Sequence, residues 1–348
     1  MFKKERQDGR RKALVAGGAG FVGSHLCDAL LAEGTDIICV DSLLTGSFDN
    51  VRALENHPGF RFIEHDITST LTIGDEIDEV YNLACAASPP RYQADPSHTL
   101  LTNVVGTANL LALAEQHRAA FLQASTSEIY GDPEVHPQPE TYRGSVNCTG
   151  PRACYDEGKR AAETLCFDHL RQERVDARVA RIFNTYGPRM QQDDGRIVSN
   201  LIFQALQGRP LTVYGSGRQT RSFCYVSDMV AGLIALMRVS PNPGAPVNLG
   251  NPEELPVIEL ARRVLDLVPG AKDIDFLPLP EDDPQRRRPD IARAKALLDW
   301  EPLVPLSKGL ASTIDWFAAL SPENPDRGKI REKDAEGTYN GYEHQPSP

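Results

Sequence analysis

Short apolar runs alternate with helix-like stretches along the first half of the chain. Each run is four to seven residues long and is bounded by polar or turn-forming residues, as expected for strands buried on both faces of a parallel sheet. Predicted strands cover residues 13–16, 37–40, 60–64, 80–84, 121–124 and 177–183. One predicted helix begins at about residue 21, and two others cover residues 99–117 and 155–172. This alternation predicts an α/β fold with a doubly wound parallel sheet.

The chain from residue 186 onward is less regular and richer in Pro and Gly. Its helices (198–206, 256–268) and its strand (211–214) predict a smaller mixed α/β substrate lobe over the carboxyl edge of the sheet, where ligands bind. A helix from Ser227, its expected N-cap, returns to the sheet. The predicted division is a sheet domain (11–184 and 223–250), a lobe (185–222 and 251–320) and flexible tails (1–10 and 321–348).

A glycine-rich turn joins the first predicted strand to the first predicted helix. Gly17, Gly20 and Gly23 recur at intervals of three, with Phe21 and Val22 between the last two. Glycines allow a tight turn and let the backbone approach a pyrophosphate at the helix N-terminus. Strand, glycine turn and helix in this order predict a Rossmann dinucleotide site, with these five residues as cofactor contacts.

An acidic residue ends the second predicted strand. Asp41 lies eighteen residues after the last glycine of the turn, where a carboxylate bonds the adenosine ribose and repels a 2′-phosphate. Ser42 and Leu43 follow, with no arginine to accept that phosphate. The pattern therefore predicts NAD rather than NADP. Asp66 and Ile67, which follow the third strand, complete the predicted cofactor contacts.

Tyr155 and Lys159 are four residues apart and share one face of a predicted helix. The pKa of free tyrosine is about 10, and a nearby ammonium lowers it. The pair is therefore predicted to act as a general base on a sugar hydroxyl and to contact the cofactor. Tyrosine and lysine at this spacing also occur on many solvated helices, so the prediction depends on the glycine turn and Asp41.

Composition narrows the classes of function. The chain has 348 residues, of which 41% are hydrophobic and 24% charged, as in soluble globular proteins. A net charge of −11 argues against nucleic acid as a partner. No apolar run approaches the roughly twenty residues of a membrane span, and residues 1–12 lack a signal-peptide core. Seven cysteines without CxxC spacing predict reduced thiols and a cytoplasmic protein, and no metal-ligand spacing is present.

Several longer segments resemble the extended short-chain dehydrogenases/reductases that modify nucleotide sugars. Within that family the likeness is to the UDP-glucuronate decarboxylases, or UDP-xylose synthases, and it covers roughly residues 13–317. Besides the glycine turn, Asp41 and the Tyr155/Lys159 pair, the matching segments are 125–133, 136–138, 150–155, 181–190, 211–223 and 282–290.

The resemblance implies NAD-dependent decarboxylation of UDP-glucuronate through a UDP-4-keto intermediate to UDP-xylose. Tyr155 would take the proton of the 4-hydroxyl while hydride leaves for the nicotinamide. Lys159 would hold Tyr155 as phenolate and bond the nicotinamide ribose. Thr126, at the carboxyl end of a strand, would bond the reacting oxygen.

Three further residues would act on the carboxylate. Ser127 and Glu128, next in the same loop as Thr126, would assist decarboxylation and reprotonation. Arg287 is the central arginine of the segment 286–289, Arg-Arg-Arg-Pro, which matches a motif of the family. A guanidinium can hold a carboxylate by two hydrogen bonds, so Arg287 would bind the uronate.

Binding of the UDP-sugar substrate would fall mainly to the lobe. By resemblance, Asn184 and Arg221 contact the diphosphate, Tyr214 lies near the uridine, Arg196 is nearby and Tyr92 borders the sugar. Family members pair through four helices, which here would be 99–117 and 155–172 of two copies. The resemblance therefore implies a homodimer.

The chain departs from the family pattern at three positions. Arg143 stands where a tryptophan is usual, Cys148 where a proline is usual, and His98 where a substrate-binding lysine is common. All three are expected in or near the sugar-facing loops. A looser site there would release part of the product as UDP-4-keto-pentose.

Other activities within this resemblance stay open. A 4-epimerase shares NAD, Tyr155 and Lys159 but has no need of Glu128 or Arg287. A 4,6-dehydratase generally carries Thr-Asp-Glu, whereas residues 126–128 read Thr-Ser-Glu. A non-catalytic NAD-binding sensor is disfavoured because Tyr155 and Lys159 are both present.

Overall fold

A computed structural model describes residues 9–192, 195–279 and 286–320. In chain order the strands are β1 (Lys12–Ala16), β2 (Asp36–Asp41), β3 (Phe60–Glu64), β4 (Glu79–Asn82), β5 (Ala120–Thr126), β6 (Ala177–Ile182), β7 (Thr185–Tyr186), β8 (Leu211–Tyr214), β9 (Thr220–Ser222), β10 (Cys224–Tyr225), β11 (Val247–Leu249), β12 (Glu254–Pro256), β13 (Ile274–Leu277) and β14 (Arg286–Arg287). The α-helices are α1 (Phe21–Ala32), α2 (Pro89–Tyr92), α3 (Pro96–Leu101), α4 (Thr107–His117), α5 (Ala153–Arg171), α6 (Ile197–Leu206), α7 (Val226–Arg238), α8 (Val257–Leu267), α9 (Ala292–Leu298) and α10 (Leu306–Ala319).

Seven parallel strands form a sheet in the order β11-β6-β5-β4-β1-β2-β3. Both of its faces are covered. In β1, Ala13 and Val15 pack into the cluster that contains residues of α1 and α7, whereas Leu14 and Ala16 pack into the cluster that contains residues of α4. Successive side chains of a strand point to opposite faces, so an uninterrupted apolar run is what a sheet covered on both sides requires. The predicted doubly wound α/β fold is confirmed.

The strand order reverses between β1 and β4, which lie side by side in the sheet. The chain runs outward from β1 to β3 and then returns to β4 on the other side of β1. Loops that leave the carboxyl ends of two such strands diverge and leave a crevice. Gly17, just after β1, meets the backbone after β4: a Cβ on it would lie 2.7 Å from the carbonyl carbon of Leu83, and its φ is +77°. Glycine is therefore required where the two loops meet.

Three small sheets accompany the large one. One of them, β12-β9-β14, pairs β12 antiparallel and β14 parallel to β9, and the others are β7–β10 and β8–β13. These sheets are the smaller mixed α/β part that the sequence predicts. An isolated bridge between Gln138 and Pro289 ties the segment after β14 to the loop region after β5.

Two details of the predicted helices are wrong. The helix expected at 99–117 begins at Pro96, and a π-helical turn over Thr102–Gly106 separates α3 from α4. Helix α7 begins at Val226, and Tyr225 occupies its N-cap position without a side-chain hydrogen bond, so Ser227 is not the cap. A π turn adds a residue to the helical repeat and therefore rotates the helix face that follows it.

Some predictions fall on residues outside the described ranges. They are the tail predicted beyond residue 321, most of the predicted N-terminal tail (residues 1–8) and residues 282–285 of the matching segment 282–290. Within the described ranges, no helix is both long enough and apolar enough to cross a membrane.

Candidate active site

A cavity of about 270 Å³ lies at the carboxyl edge of the large sheet. It is lined by the glycine turn, the end of β5, the start of α5 and the segments after β6. Residues predicted from the sequence that line it are Gly17, Gly20, Phe21, Val22, Gly23, Thr126, Ser127, Glu128, Tyr155, Lys159, Asn184 and Arg196. Parallel strands end at one edge of their sheet, which explains why residues far apart in sequence meet here.

A smaller cavity of about 70 Å³ continues from the larger one. Asp41, Asp66 and Ile67 line it, and both cavities share Gly17, Gly20, Thr45, Leu83 and Cys85. The joined groove runs from a carboxylate at the end of β2, past the glycine turn, to Tyr155 and Lys159. This order fits a dinucleotide, with ribose recognition at one end, a pyrophosphate at the glycines and redox chemistry at the other end.

The carboxylate of Asp41 is fixed by the backbone around it. It accepts hydrogen bonds from the N–H groups of Ala19, at 3.0 Å, and Leu43, at 2.9 Å. Burial raises the pKa of Asp41, and these backbone bonds oppose the rise. The glycine turn and the end of β2 are thereby held together beside the smaller cavity.

Tyr155 and Lys159 enter the larger cavity from the first turns of α5. The Lys159 Nζ donates to the carbonyl of Ala124 at 2.9 Å and lies 5.7 Å from the centroid of the Tyr155 ring. Burial lowers the pKa of Lys159. Burial also raises the pKa of Tyr155 well above its ordinary value, Cys85 raises it further, and a hydrogen bond with Thr126 lowers it. Desolvation therefore outweighs the effects that lower the pKa of Tyr155, and the net shift is upward, opposite to the shift expected from the Tyr155/Lys159 spacing.

The loop after β5 positions three predicted residues together. The Thr126 Oγ1 accepts the backbone N–H of Glu128 at 3.2 Å and so caps the short 3₁₀ turn over Ser127–Tyr130. Capping satisfies a donor that the turn would otherwise leave without a partner. Ser127 and Glu128 are therefore held at the end of the strand, on the lining of the cavity.

Glu128 and Arg287 form a paired ionic contact. The Arg287 Nη1 and Nη2 atoms donate to the two carboxylate oxygens at 2.5 and 2.8 Å. Nη2 of Arg152 lies 3.4 and 3.5 Å from the same two oxygens. Burial opposes ionisation of Glu128, but Arg287, Arg152 and, more weakly, Arg221 outweigh it and lower the pKa of Glu128. Glu128 is thus ionised near neutral pH.

Arg221 is placed beside Arg287 by the register of two strands. The two arginines are direct neighbours in the parallel pairing of β9 with β14, and both are buried. The Arg221 Nη1 donates to the carbonyl of Thr220 at 2.9 Å. Neither arginine lines the larger cavity, but Arg287 contacts Glu128, which does.

Three of the predicted substrate residues, Arg221, Tyr92 and Tyr214, lie outside the lining of the cavity. Tyr92 is buried and stacks against Tyr155, and its hydroxyl accepts a hydrogen bond from Nε of Arg152 at 3.1 Å. Tyr214 is 41% exposed at the end of β8 and lines neither part of the groove. A separate opening lies next to it in sequence, lined by Gly215, Ser216, Arg218, Gln219, Thr220, Leu279 and Arg286.

The three departures from the family pattern do not line the larger cavity. Arg143 and Cys148 are exposed. His98 lines the smaller cavity, where its Nε2 lies 2.7 Å from an oxygen of Asp66. Burial opposes ionisation of Asp66, but the bond to His98 and bonds to Thr68 outweigh it and lower the pKa of Asp66. Of the three, His98 lines the groove at its cofactor end, and the place of Arg143 and Cys148 near the sugar stays a prediction.

Three residues at the site were not predicted. Arg152 contacts both Glu128 and Tyr92. Asp156, next to Tyr155, is buried, and one of its oxygens has no hydrogen-bond partner among the described residues. Asn103, in the π turn, donates to Sγ of Cys85 at 3.1 Å. Arg152 stands in the matching segment 150–155, three residues before Tyr155, and this spacing was the signal that could have identified it.

Comparison with known proteins identifies the family. The model of the NAD dependent epimerase/dehydratase family matches residues 13–250. The chain belongs to this family. The prediction of NAD as the cofactor is thereby confirmed.

The relatives match most of the chain. It is 56% identical over 308 residues to UDP-glucuronic acid decarboxylase 1 of Xenopus tropicalis, covering 88% of this chain and 72% of the relative. It is 53% identical over 300 residues to UDP-glucuronic acid decarboxylase 3 of Arabidopsis thaliana, covering 86% of each. The predicted resemblance to UDP-glucuronate decarboxylases is confirmed.

The solved structures show the same fold. A UDP-glucuronic acid 4-epimerase from Bacillus cereus, in complex with UDP-glucuronic acid and NAD, superposes with a TM-score of 0.78 at 29% identity. The match covers 89% of this chain and all of that chain. A UDP-glucose 4-epimerase from Thermotoga maritima superposes with a TM-score of 0.79 at 27% identity, over 88% of this chain and 98% of that one.

Proposed function

We propose that the protein is an NAD-dependent UDP-glucuronate decarboxylase, which converts UDP-glucuronate through a UDP-4-keto intermediate to UDP-xylose. The observation that carries the proposal is the Glu128–Arg287 pair beside the cavity that contains Tyr155 and Lys159. The pair places a cation that can bind a carboxylate next to a site that can oxidise a hydroxyl. Relatives 51–56% identical, all UDP-glucuronic acid decarboxylases, support it.

The first step creates an acceptor for electrons. A hexuronic acid does not readily lose CO2, because the departing electron pair has nowhere to go, whereas a ketone at C4 makes it a β-keto acid. The glycine turn and Asp41 would hold NAD, which would supply the acceptor for the hydride of C4 and its later donor. Tyr155 in its phenolate form accepts the proton of the 4-hydroxyl, and the Thr126 hydroxyl, hydrogen-bonded to Tyr155, holds the same oxygen. Lys159 adds a positive charge beside the Tyr155 ring, and the nicotinamide of bound NAD would add another; both oppose the rise in the pKa of Tyr155 that burial causes.

The second step breaks the C5–C6 bond. Its electron pair moves into an enolate on the C4 oxygen, CO2 departs and C5 then takes up a proton. Arg287 binds the carboxylate before it leaves. Ser127 and Glu128 face this region from the end of β5 and assist both the loss of CO2 and the reprotonation at C5. Returning hydride to C4 then gives UDP-xylose.

Trapping CO2 from carboxyl-labelled UDP-glucuronate tests the proposal. A decarboxylase releases the label in proportion to the substrate consumed. A 4-epimerase, the alternative favoured by the Bacillus cereus structure, keeps all of it in the C4 epimer of the substrate. Neither a 4,6-dehydratase nor a non-catalytic sensor releases it. Retention of the label by the wild-type protein therefore rejects the proposed reaction.

Product analysis tests the proposed release of UDP-4-keto-pentose. Arg143, Cys148 and His98 do not line the larger cavity, so any effect of these residues on release would be indirect. Quantifying UDP-xylose, UDP-4-keto-pentose and NADH after the reaction decides the matter. Complete conversion to UDP-xylose excludes release.

The two parts of the chain are also proposed to bind different ligands. Residues 11–184 and 223–250 would bind NAD, and residues 185–222 and 251–320 the nucleotide sugar. Asn184 and Arg196, on the lining of the larger cavity, and Arg221, beside Arg287, are the candidates for the diphosphate. Charge supports this, since each arginine can pair with a phosphate. Tyr214 stays the candidate for the uridine.

A homodimer in the cytoplasm completes the proposal. The helical run from α3 to α4 exposes Leu100, Leu101 and Val105, by 39%, 48% and 38%, and α5 packs beside it. Burying such side chains against a second copy is favourable. Light scattering should give twice the chain mass, and Leu101→Arg should shift it to one chain. All seven cysteines are free, which suits a reducing compartment.

A further inference from the structure

One side chain, that of Arg152, joins two parts of the site. Its Nη2 lies 3.4 and 3.5 Å from the carboxylate oxygens of Glu128, and its Nε donates to the Tyr92 hydroxyl at 3.1 Å. Tyr92 in turn stacks on Tyr155. The Arg152 and Glu128 side chains are only 15% and 16% exposed, so their attraction is weakly screened by solvent. Arg152 therefore connects the carboxylate of Glu128 to the ring of Tyr92, which supports Tyr155.

Arg287 already has an anion on the edge that would receive the uronate. Its two terminal nitrogens are each engaged by one oxygen of Glu128, and its side chain is only 6% exposed. A guanidinium has a second bidentate edge, at Nε and one Nη, but Glu128 lines the cavity and Arg287 does not, so the edge toward the cavity is the one that Glu128 occupies. For Arg287 to hold the uronate in this way, Glu128 must give up that edge.

Exchange would leave Glu128 without its nearest cation. A buried carboxylate that loses its partner is strongly destabilised. Arg152 stands about half an ångström or more further from Glu128 than Arg287 does, and so it is the looser of the two cations in this state. Its contacts of 3.4 and 3.5 Å are longer than a usual charge-assisted hydrogen bond, so they can shorten when Arg287 withdraws.

We propose that Arg152 is a positioning residue, which keeps Glu128 in place while Arg287 exchanges Glu128 for the uronate carboxylate. The inference rests on the proposed decarboxylation. Oxidation at C4 depends on Tyr155 and Thr126, whereas Glu128 serves the later loss of CO2. Removing Arg152 therefore slows the second step more than the first, so that the two steps separate in time.

Single turnovers of the holoenzyme test the proposal. Each variant, Arg152→Gln or Arg152→Lys, is mixed with a smaller amount of carboxyl-labelled UDP-glucuronate, so that each substrate molecule reacts once. The absorbance of NADH and the trapped CO2 are measured over the same time course. For Arg152→Gln, NADH should form at close to the wild-type rate, while CO2 release slows by about tenfold or more, as expected for a lost contact with a buried charge. Arg152→Lys, which keeps the charge, should restore most of that loss. Thermal unfolding and bound NAD content show whether each variant is folded.

A double-mutant cycle shows whether the effect passes through Glu128. In a Glu128→Gln background, Arg152→Gln should change CO2 release by less than about twofold, because the partner carboxylate is already gone. Tyr92→Phe removes the other contact of Arg152 and should not separate NADH formation from CO2 release. Arg171→Gln removes an exposed charge at the far end of α5 and should leave both rates as in the wild type.

Three outcomes overturn the inference. They are a parallel loss of NADH formation and CO2 release in Arg152→Gln, an equal effect of that change with and without Glu128, and the same separation of steps in Tyr92→Phe. If the wild-type protein itself releases no CO2, the proposed decarboxylation fails first and the role of Arg152 with it. The wild-type measurement therefore distinguishes the two failures.

Discussion

The rings of Tyr92 and Tyr155 lie almost parallel, with planes 7° apart and centroids 5.0 Å apart. Tyr92 is 1% exposed, and its hydroxyl is bound by Arg152. The ring of the proposed base is thus supported by a neighbour that is itself fixed. A stacked pair of this kind limits the ring to one orientation, which a proton transfer to a defined oxygen requires.

Removing the Tyr155 hydroxyl should nearly abolish turnover. Tyr155→Phe keeps the stacked ring but loses the group that accepts the proton, so CO2 release should fall by about a hundredfold or more. The NAD content, measured after denaturation, should match the wild type. Tyr142→Phe, which removes a hydroxyl from a ring stacked on Tyr130 instead, is the matched control. An unchanged rate for Tyr155→Phe would refute the assignment of Tyr155 as the base.

Removing the Arg287 side chain should stop decarboxylation without loss of NAD. Arg287→Ala takes away the cation proposed for the uronate and leaves Glu128 with the more distant Arg152 and Arg221. CO2 release should therefore disappear while bound NAD stays at the wild-type level. Arg286→Ala, its exposed neighbour in β14, should keep the wild-type maximal rate. Persistent CO2 release from Arg287→Ala contradicts the proposed uronate contact.

Asp156 should make stability fall as pH rises. Burial, and then the charge of Glu128, raise the pKa of Asp156 from 3.8 to about 7, while Arg152 and Arg287 oppose the rise and Glu157 adds to it. Between these two pKa values the folded protein keeps a proton that the unfolded chain has lost, so folding is favoured at the acidic end and this advantage is lost toward neutral pH.

Thermal unfolding of Asp156→Asn measures this effect. The asparagine cannot ionise, so the melting temperature of the variant relative to wild type should be higher at about pH 8 than at about pH 5. Glu157→Gln removes a half-exposed carboxylate from the same helix, and its difference should vary less with pH. A pH-independent difference for Asp156→Asn would show that Asp156 is already ionised in the folded protein.

A methyl group at Gly23 should distort the glycine turn that is proposed to bind NAD. A Cβ there would lie 2.1 Å from the carbonyl oxygen of Gly17, and two backbone segments cannot separate without opening the turn. Gly23→Ala should lose bound NAD and destabilise the fold by about 1–3 kcal/mol, as overpacking does. Gly74→Ala, where a Cβ meets nothing within 4 Å, should be close to wild type in melting temperature and NAD content. Wild-type NAD content in Gly23→Ala would contradict this role of the turn.

Local sequence pattern predicts the large sheet well because each of its strands is a short apolar run. The boundaries of β3 and β8, for example, agree with the prediction to the residue. The glycine turn is equally local, since strand, turn and helix follow one another within twenty residues or so of the chain. These elements are determined by backbone geometry and burial over short stretches.

The contacts of the site depend on pairings that no local pattern contains. Glu128 and Arg287 are 159 positions apart, and only the register of β14 on β9 and the end of β5 bring them together. The place of His98 on a helix does not reveal which part of the groove it lines. The spacing of Tyr155 and Lys159 is visible in the sequence, but the burial that raises the pKa of Tyr155 and lowers that of Lys159 is not.

The pairing of β14 with β9 fixes the spacing between Arg287 and Arg221. Arg287 and Arg221 are neighbours in register, and adjacent strands are held about 4.8 Å apart by their hydrogen bonds. The distance between the Cα atoms of the two arginines is therefore set by strand pairing. If one arginine holds a carboxylate and the other a phosphate, the sheet also limits the distance between those two groups of the substrate. Selection among sugar acids of different size would then be encoded in main-chain hydrogen bonds, which substitution of a single side chain leaves intact.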